Sequence, residues 1–124
     1  MFTLDINGKE LTLSFGMAFV RDINETVKQP IDGAPGVYAK RGLAFAIGSI
    51  IDGDVEVLAD VLYMAAKHAD KKVTRSDIDA LLEDENTDIE GLFEQVLDFF
   101  ERSNCTAKQT KEMLKAVQEA TENQ

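Results

Sequence analysis

The sequence predicts an α+β protein, mostly α, in which an N-terminal β-hairpin is followed by about six helices in a single compact domain. Three observations predict it. Alternating apolar residues flank Asn7-Gly8, which is strand periodicity around a tight turn. From Met17 onward the apolar residues recur instead at three- and four-residue spacing. Hydroxyl and carboxylate side chains stand at the heads of the later stretches, where helices are capped. The chain divides into a hairpin over residues 1–16, a helical core over 17–72 and acidic C-terminal helices over 73–124.

Phe2, Leu4 and Ile6 alternate with polar residues, and so do Leu11, Leu13 and Phe15. With Asn7-Gly8 supplying the positive φ angles of the turn, these six side chains share one apolar face. A two-stranded ribbon is marginal alone, so that face must lie on helices or join other strands, from this subunit or another. Gly16 ends the alternation. Phe19, Val20, Ile23 and Val27 have helical spacing over Met17 to Lys28, and Gln29-Pro30 ends the segment, because the residue before a proline is pushed out of helical conformation. Pro30 to Gly36 holds both prolines and two glycines and reads as a loop, by composition the most mobile one. Val37 to Asp52 is nearly all apolar after Arg41 and reads as a buried helix; Gly42, Gly48 and the β-branched end make a strand the competing reading. Gly53 closes it. Asp54 caps the next helix, in which Val55, Leu58, Ala59, Leu62 and Ala66 form a stripe widened by Val57, Val61 and Met64.

Two helices then begin near residues 75 and 88. Thr74 with Asp77, and Thr87 with Glu90, both fit the reciprocal cap of a hydroxyl and an acid three residues on. On the second helix Ile89, Leu92, Phe93, Val96, Leu97 and Phe100 form one stripe. Phe99 lies about 100° round the helix from Phe100, which predicts some exposed aromatic area. From Asp77 to Glu101 there are ten acids and no Lys or Arg, so water or a partner must meet that charge. Thr106 with Gln109 repeats the capping pattern ahead of a last helix over about 107–120, where Met113, Leu114, Val117 and Ala120 lie among Lys108, Lys111 and Lys115. The tail Thr121 to Gln124 is expected to fray.

The length suits one domain, and area scaling gives roughly 6,600 Å² of accessible surface for a folded monomer of this mass. Residues 1–50 hold five acids and five bases; residues 51–124 hold eighteen acids and eight bases, and so carry the whole net charge of −10. Such a surface repels phosphate, which argues against binding nucleic acid or an anionic membrane. The lone Cys105 excludes an internal disulfide and points to a reducing compartment, and no spacing unites it with His68, the sole histidine. Asp84, Asn86 and Asp88 begin like a calcium loop, but Ile89 stands where the turn glycine belongs and Gln95 where the bidentate glutamate belongs. Nothing in the sequence places a catalytic, cofactor-binding or metal-ligating set.

The order of segments resembles a known family. The hairpin T-L-D-I-N-G-K-E-L-T-L-S-F-G is followed by G-D-V-E-V-L-A-D-V-L-Y-M-A-A, then V-T-R-S-D-I-D-A-L-L-E-D-E, then I-E-G-L-F-E-Q-V-L-D-F-F-E-R-S-N. Together, from Phe2 to Asn104, these are similar to the tail assembly chaperones of long-tailed phages, or prophages, of Gram-positive bacteria. The resemblance implies a non-enzymatic helper in the host cytoplasm that coats the helical tape measure protein before the tail tube polymerises, and that is absent from the mature virion. It also implies self-association, and a longer frameshifted form whose extension recruits the tail tube protein. It carries over no catalytic residue, cofactor or metal, and no nucleic-acid or membrane partner.

In physical terms, a groove between the apolar faces of residues 89–100 and 107–120 would hold an amphipathic client helix. That expectation assigns Leu92, Phe93, Val96, Phe99, Phe100 and Met113 to client binding or self-association. The rival reading is an acidic regulatory protein or DNA mimic that presents carboxylates to a basic partner.

Overall fold

The computed structural model describes residues 1–122. Strands β1 (Phe2–Ile6) and β2 (Lys9–Leu13) form the expected antiparallel hairpin. Asn7 and Gly8 take φ of 56° and 83°, the positive pair that a two-residue turn needs, and Asp5 Oδ1 accepts from the Gly8 amide at 2.9 Å. The register sets Phe2 against Leu13 and Leu4 against Leu11, so the apolar residues share one face. That face lies on helices of the same chain: Leu4, Ile6, Leu13 and Phe15 are buried, and the Ser14 amide donates to the Ala65 carbonyl at 3.0 Å.

Helix α1 runs Met17–Asn24 and stops four residues short of the expected end at Lys28. Thr26 Oγ1 donates to the Ile23 carbonyl, Asn24 Oδ1 accepts from the Leu43 amide at 2.9 Å, and the chain turns out into a second hairpin, β3 (Lys28–Pro30) paired with β4 (Tyr38–Lys40). What composition marked as a loop over 30–36 is therefore mostly the tip of a two-stranded arm, with Gly33 and Gly36 at φ of 79° and 82°. The start of the segment read as a buried helix from Val37 is the returning strand of that arm.

Helix α2 (Gly42–Asp52) begins where α1 passes closest. A Cβ on Gly42 would overlap the Ile23 carbonyl oxygen, so glycine is required here by close approach rather than by φ. Gly53 ends α2 in the left-handed conformation at φ 80°. Helix α3 (Val55–Ala69) is capped by Asp54, which accepts from Glu56 N at 3.0 Å and Val57 N at 3.2 Å. Its buried set, Val57, Leu58, Val61, Leu62, Met64, Ala65 and Ala66, covers so much of the helix girth that α3 lies between the hairpin, α1, α2 and α4.

Helix α4 (Arg75–Glu83) opens on the reciprocal cap of Thr74 and Asp77 and buries only Ile78 fully. Helix α5 (Ile89–Arg102) starts differently from expectation. Asp88, not Thr87, caps it, accepting from the Gly91 amide at 3.0 Å. Thr87 instead donates its hydroxyl to the Leu81 carbonyl and accepts from Asn7 Nδ2 at 2.9 Å, fastening the α4–α5 turn to the tip of the first hairpin. The hydroxyl of Thr106 likewise turns backward, donating to the Phe100 carbonyl at 2.7 Å, and Thr110 donates to the Thr106 carbonyl at 2.8 Å. Both threonines are buried, so each needs a partner inside the protein: Thr106 finds a carbonyl in the last turn of α5, and Thr110 shares the carbonyl one turn back that its own amide uses. Helix α6 spans Ala107–Glu122, which keeps Thr121 and Glu122 helical. The other two residues of the expected frayed tail, 123 and 124, lie outside the described residues.

Candidate partner-binding surfaces

The aromatic centre of the molecule joins the first hairpin to α1 and α5. Phe2 stacks on Phe99 with centroids 4.7 Å apart, Phe15 meets Phe19 and Phe100 edge-on at 5.0 and 5.2 Å, and Arg102 lies over Phe2 and Phe99 at 5.1 and 5.5 Å. This arrangement corrects the expectation of exposed aromatic area on α5. Phe99 is 7% exposed and Phe100 is fully sealed, because the hairpin covers a second side of the helix that the single stripe left open. Of the six residues assigned to client binding or self-association, Leu92, Val96, Phe99 and Phe100 are buried. Phe93 and Met113 are half-buried, Met113 lying over Gly48 of α2. Helices α5 and α6 pack on each other and on α2, so their apolar faces meet instead of parting into an open groove.

Apolar area is displayed elsewhere. The β3–β4 arm stands out from the body with Ile31, Val37 and Tyr38 exposed, Tyr38 by 55%. Its base is held by the Arg41 amide donating to the Val27 carbonyl at 2.8 Å and by Glu25, which pairs with Lys40 and Lys28. Those two ammonium groups, Lys40 before Lys28, hold the Glu25 carboxyl below its ordinary range. Near that base Phe45 is 52% exposed beside a hollow of about 150 Å³ that Val27 and Val57 also line. At the far end of α6, residues 115–122 are all exposed, Val117 among them. The accessible surface of 7806 Å² is about 1,200 Å² more than scaling gives for a monomer of this mass.

His68 and Cys105 line different depressions and are not brought together. His68 Nε2 is 3.1 Å from Asp22 Oδ2, which Lys67 Nζ also approaches to 3.1 Å. Burial pushes the Asp22 carboxyl up, and the hydrogen bonds from Lys67 and His68 outweigh it, leaving the group below its usual value. The carboxylates that begin like a calcium loop serve the backbone: Asp84 accepts from the Asn86 amide at 2.9 Å, and Asp88 is the α5 cap. Among the described residues no three His, Cys, Asp or Glu side chains gather as a metal site. None of the described helices is long and apolar enough to cross a membrane.

The segment order therefore survives in the fold: hairpin, α3, the capped α4 and the acidic α5 build one body. The family model described as phage tail assembly chaperone protein, TAC, matches residues 3–115. The chain belongs to that family. No curated protein and no solved structure matches it. The matched region begins one residue inside β1, takes in the rest of both hairpins and five helices, and ends within α6. Membership makes this protein a chaperone of tail assembly and implies a non-enzymatic role. The arm and Phe45 are the surface features of the chaperone that helical periodicity missed. The arm's signal lay in Asp32-Gly33 and Pro35-Gly36, two turn pairs set between β-prone Ile31 and Val37-Tyr38.

Proposed function

We propose that this tail assembly chaperone binds the tape measure protein and keeps it soluble until the tail tube forms round it. The observation that supports this is a pairing of opposites: large apolar side chains (Ile31, Val37, Tyr38, Phe45, Val55, Val117) stand exposed on a body of net charge −10. Exposed apolar area takes up apolar stretches of a client, while like charge keeps the coated complexes apart. The long client offers many sites, so weak individual contacts act through avidity. The chaperone acts in the host bacterial cytoplasm and leaves before the virion matures. A longer frameshifted form recruits the tail tube protein. Copies also self-associate along the client. The extra accessible surface of about 1,200 Å² on each copy supports this, being more than the roughly 800 Å² that each partner gives to a standard interface.

Co-purification of the chaperone with its tape measure protein tests the proposal. Apolar burial survives about 0.3 M salt, whereas binding by carboxylates alone is screened. A complex that persists at that salt, and that Tyr38→Asp and Phe45→Asp weaken while the fold stays intact, supports the chaperone reading. A complex that salt dissolves, and that these two variants leave unchanged, favours the acidic mimic.

A further inference from the structure

We infer that the cleft between β2 and α4 seats a basic amphipathic segment of a partner protein, apolar side chains inward and Lys or Arg on the rim. The inference rests on the chaperone reading and deepens it by naming where and by what chemistry the client is held.

The cleft has a volume of about 320 Å³, near the lower bound of sites that enclose a ligand and enough for one or two large side chains. Its floor is apolar: Leu11 from the hairpin, Val73 before α4, and Ile78 and Leu81 on α4. Its rim is not. Glu10, Asp77 and Asp84 stand there, with Lys9 the one cation among the described residues that line the cleft. The backbone amide of Thr74, and then its hydroxyl, hold the Asp77 carboxyl below its ordinary range. Beyond the rim, the rest of the stretch from Asp77 to Glu101 adds eight more acids and no base. An apolar slot in such a field selects an anchor flanked by cations and repels one flanked by acids. A second copy of this chain fits it poorly, because it would bring its own −10 to the same rim. The neighbouring wall keeps apolar area free for a guest: α4 buries Ile78 alone, with Leu81 and Leu82 half-buried.

The test uses the full chain and three synthetic peptides of about 16 residues, long enough to hold a helix: an amphipathic leucine–lysine peptide, its leucine–glutamate counterpart, and a leucine–lysine peptide with the same composition and no apolar face. Fluorescence anisotropy measures each against wild type, the rim double variant Glu10→Lys with Asp84→Lys, the floor variant Leu81→Gln, and Glu94→Lys, an exposed acid of α5 outside the cleft. The amphipathic basic peptide is expected to bind wild type and to bind the rim variant about tenfold more weakly, the sum of two exposed pairs lost and two repulsions gained. Leu81→Gln weakens it as well, and Glu94→Lys changes it less than about twofold. Equal weakening by Glu94→Lys, or equal binding of the faceless or acidic peptide, overturns the cleft assignment. Co-expression with the tape measure protein separates the two levels. If wild type fails to keep that client soluble, the chaperone reading falls; if wild type succeeds and the rim variant succeeds equally, only the cleft assignment falls.

Discussion

Phe2 and Phe99 stack 4.7 Å apart under the guanidinium of Arg102, which also pairs with Asp98 at 2.8 Å. One ring comes from the first strand and the other from the far end of α5, so the contact closes the molecule between its N-terminal ribbon and its acidic helices. Truncating Phe99 removes a buried aromatic from both sides of that closure. Phe99→Ala is expected to lower the free energy of unfolding by about 3–5 kcal/mol, and Arg102→Ala by about 1 kcal/mol. Urea denaturation followed by circular dichroism measures both. A loss below about 0.5 kcal/mol at Phe99 would mean the ring is not packed as described.

The start of α5 separates two capping schemes. Asp88→Ala should cost about 1 kcal/mol, because the Gly91 amide loses its acceptor, while Glu90→Ala should stay within about 0.5 kcal/mol of wild type. The sequence pattern of Thr87 with Glu90 predicts the reverse for Glu90. Thermal denaturation of the two variants decides between them.

Gly42 is a position where any side chain is expected to fail. The Ile23 carbonyl occupies the place of a Cβ, and the same helix start receives a hydrogen bond acceptor from Asn24 through the Leu43 amide. Gly42→Ala should destabilise by about 2–3 kcal/mol or more even though alanine favours helices, since backbone must move to make room. Gly33→Ala, in the arm with open space around it but φ of 79°, should cost about 1 kcal/mol. The two melting temperatures, compared with wild type, check the ranking.

Asp22 gives a pH dependence with a definite sign. Its folded pKa lies below the unfolded value, so the stability it contributes is fully present above the unfolded pKa and is lost as pH falls through the folded one. Asp22→Asn should therefore destabilise at pH 7, and the gap to wild type should close below about pH 4, where the unfolded-state carboxyl takes up its proton. Unfolding free energies across that range measure the gap. A gap that stays open once the pH is well below 4 contradicts the Lys67–Asp22–His68 arrangement.

The parts of the fold that were legible are those where a local rule and the tertiary packing agree. Asn7-Gly8 demands a hairpin turn whatever surrounds it, Asp54 and the Thr74–Asp77 box satisfy amides within their own helix, and Gly53 stops α2 by its own conformation. The β3–β4 arm was hidden because its residues bury little, so no apolar alternation marks it, and Phe19, Val20, Ile23 and Val27 carry a helical spacing past the true end of α1. Thr87 misled for the opposite reason. Its hydroxyl answers to Leu81 and to Asn7, eighty residues away in the chain, and no local pattern records that demand.

The candidate site divides along the same line. The acidic stretch and its missing bases were plain in the residues, but burial of Leu92, Val96, Phe99 and Phe100 depended on where the hairpin, α2 and α6 came to rest. Helical spacing identifies an apolar face without saying what covers it. Conversely, the exposure of Phe45 and the cleft over Leu11 and Ile78 arise from elements meeting across the fold, which no single stretch announces.

The most direct test of the account is the fraction of the tape measure protein recovered in the soluble extract when it is co-expressed with this chaperone. Wild type is expected to move most of the client into solution, and Tyr38→Asp with Phe45→Asp, folded but stripped of exposed apolar area, to leave it in the pellet. A client that stays insoluble with wild type, or is equally soluble with the double variant, would contradict the claim that displayed apolar surface on an acidic body does the work.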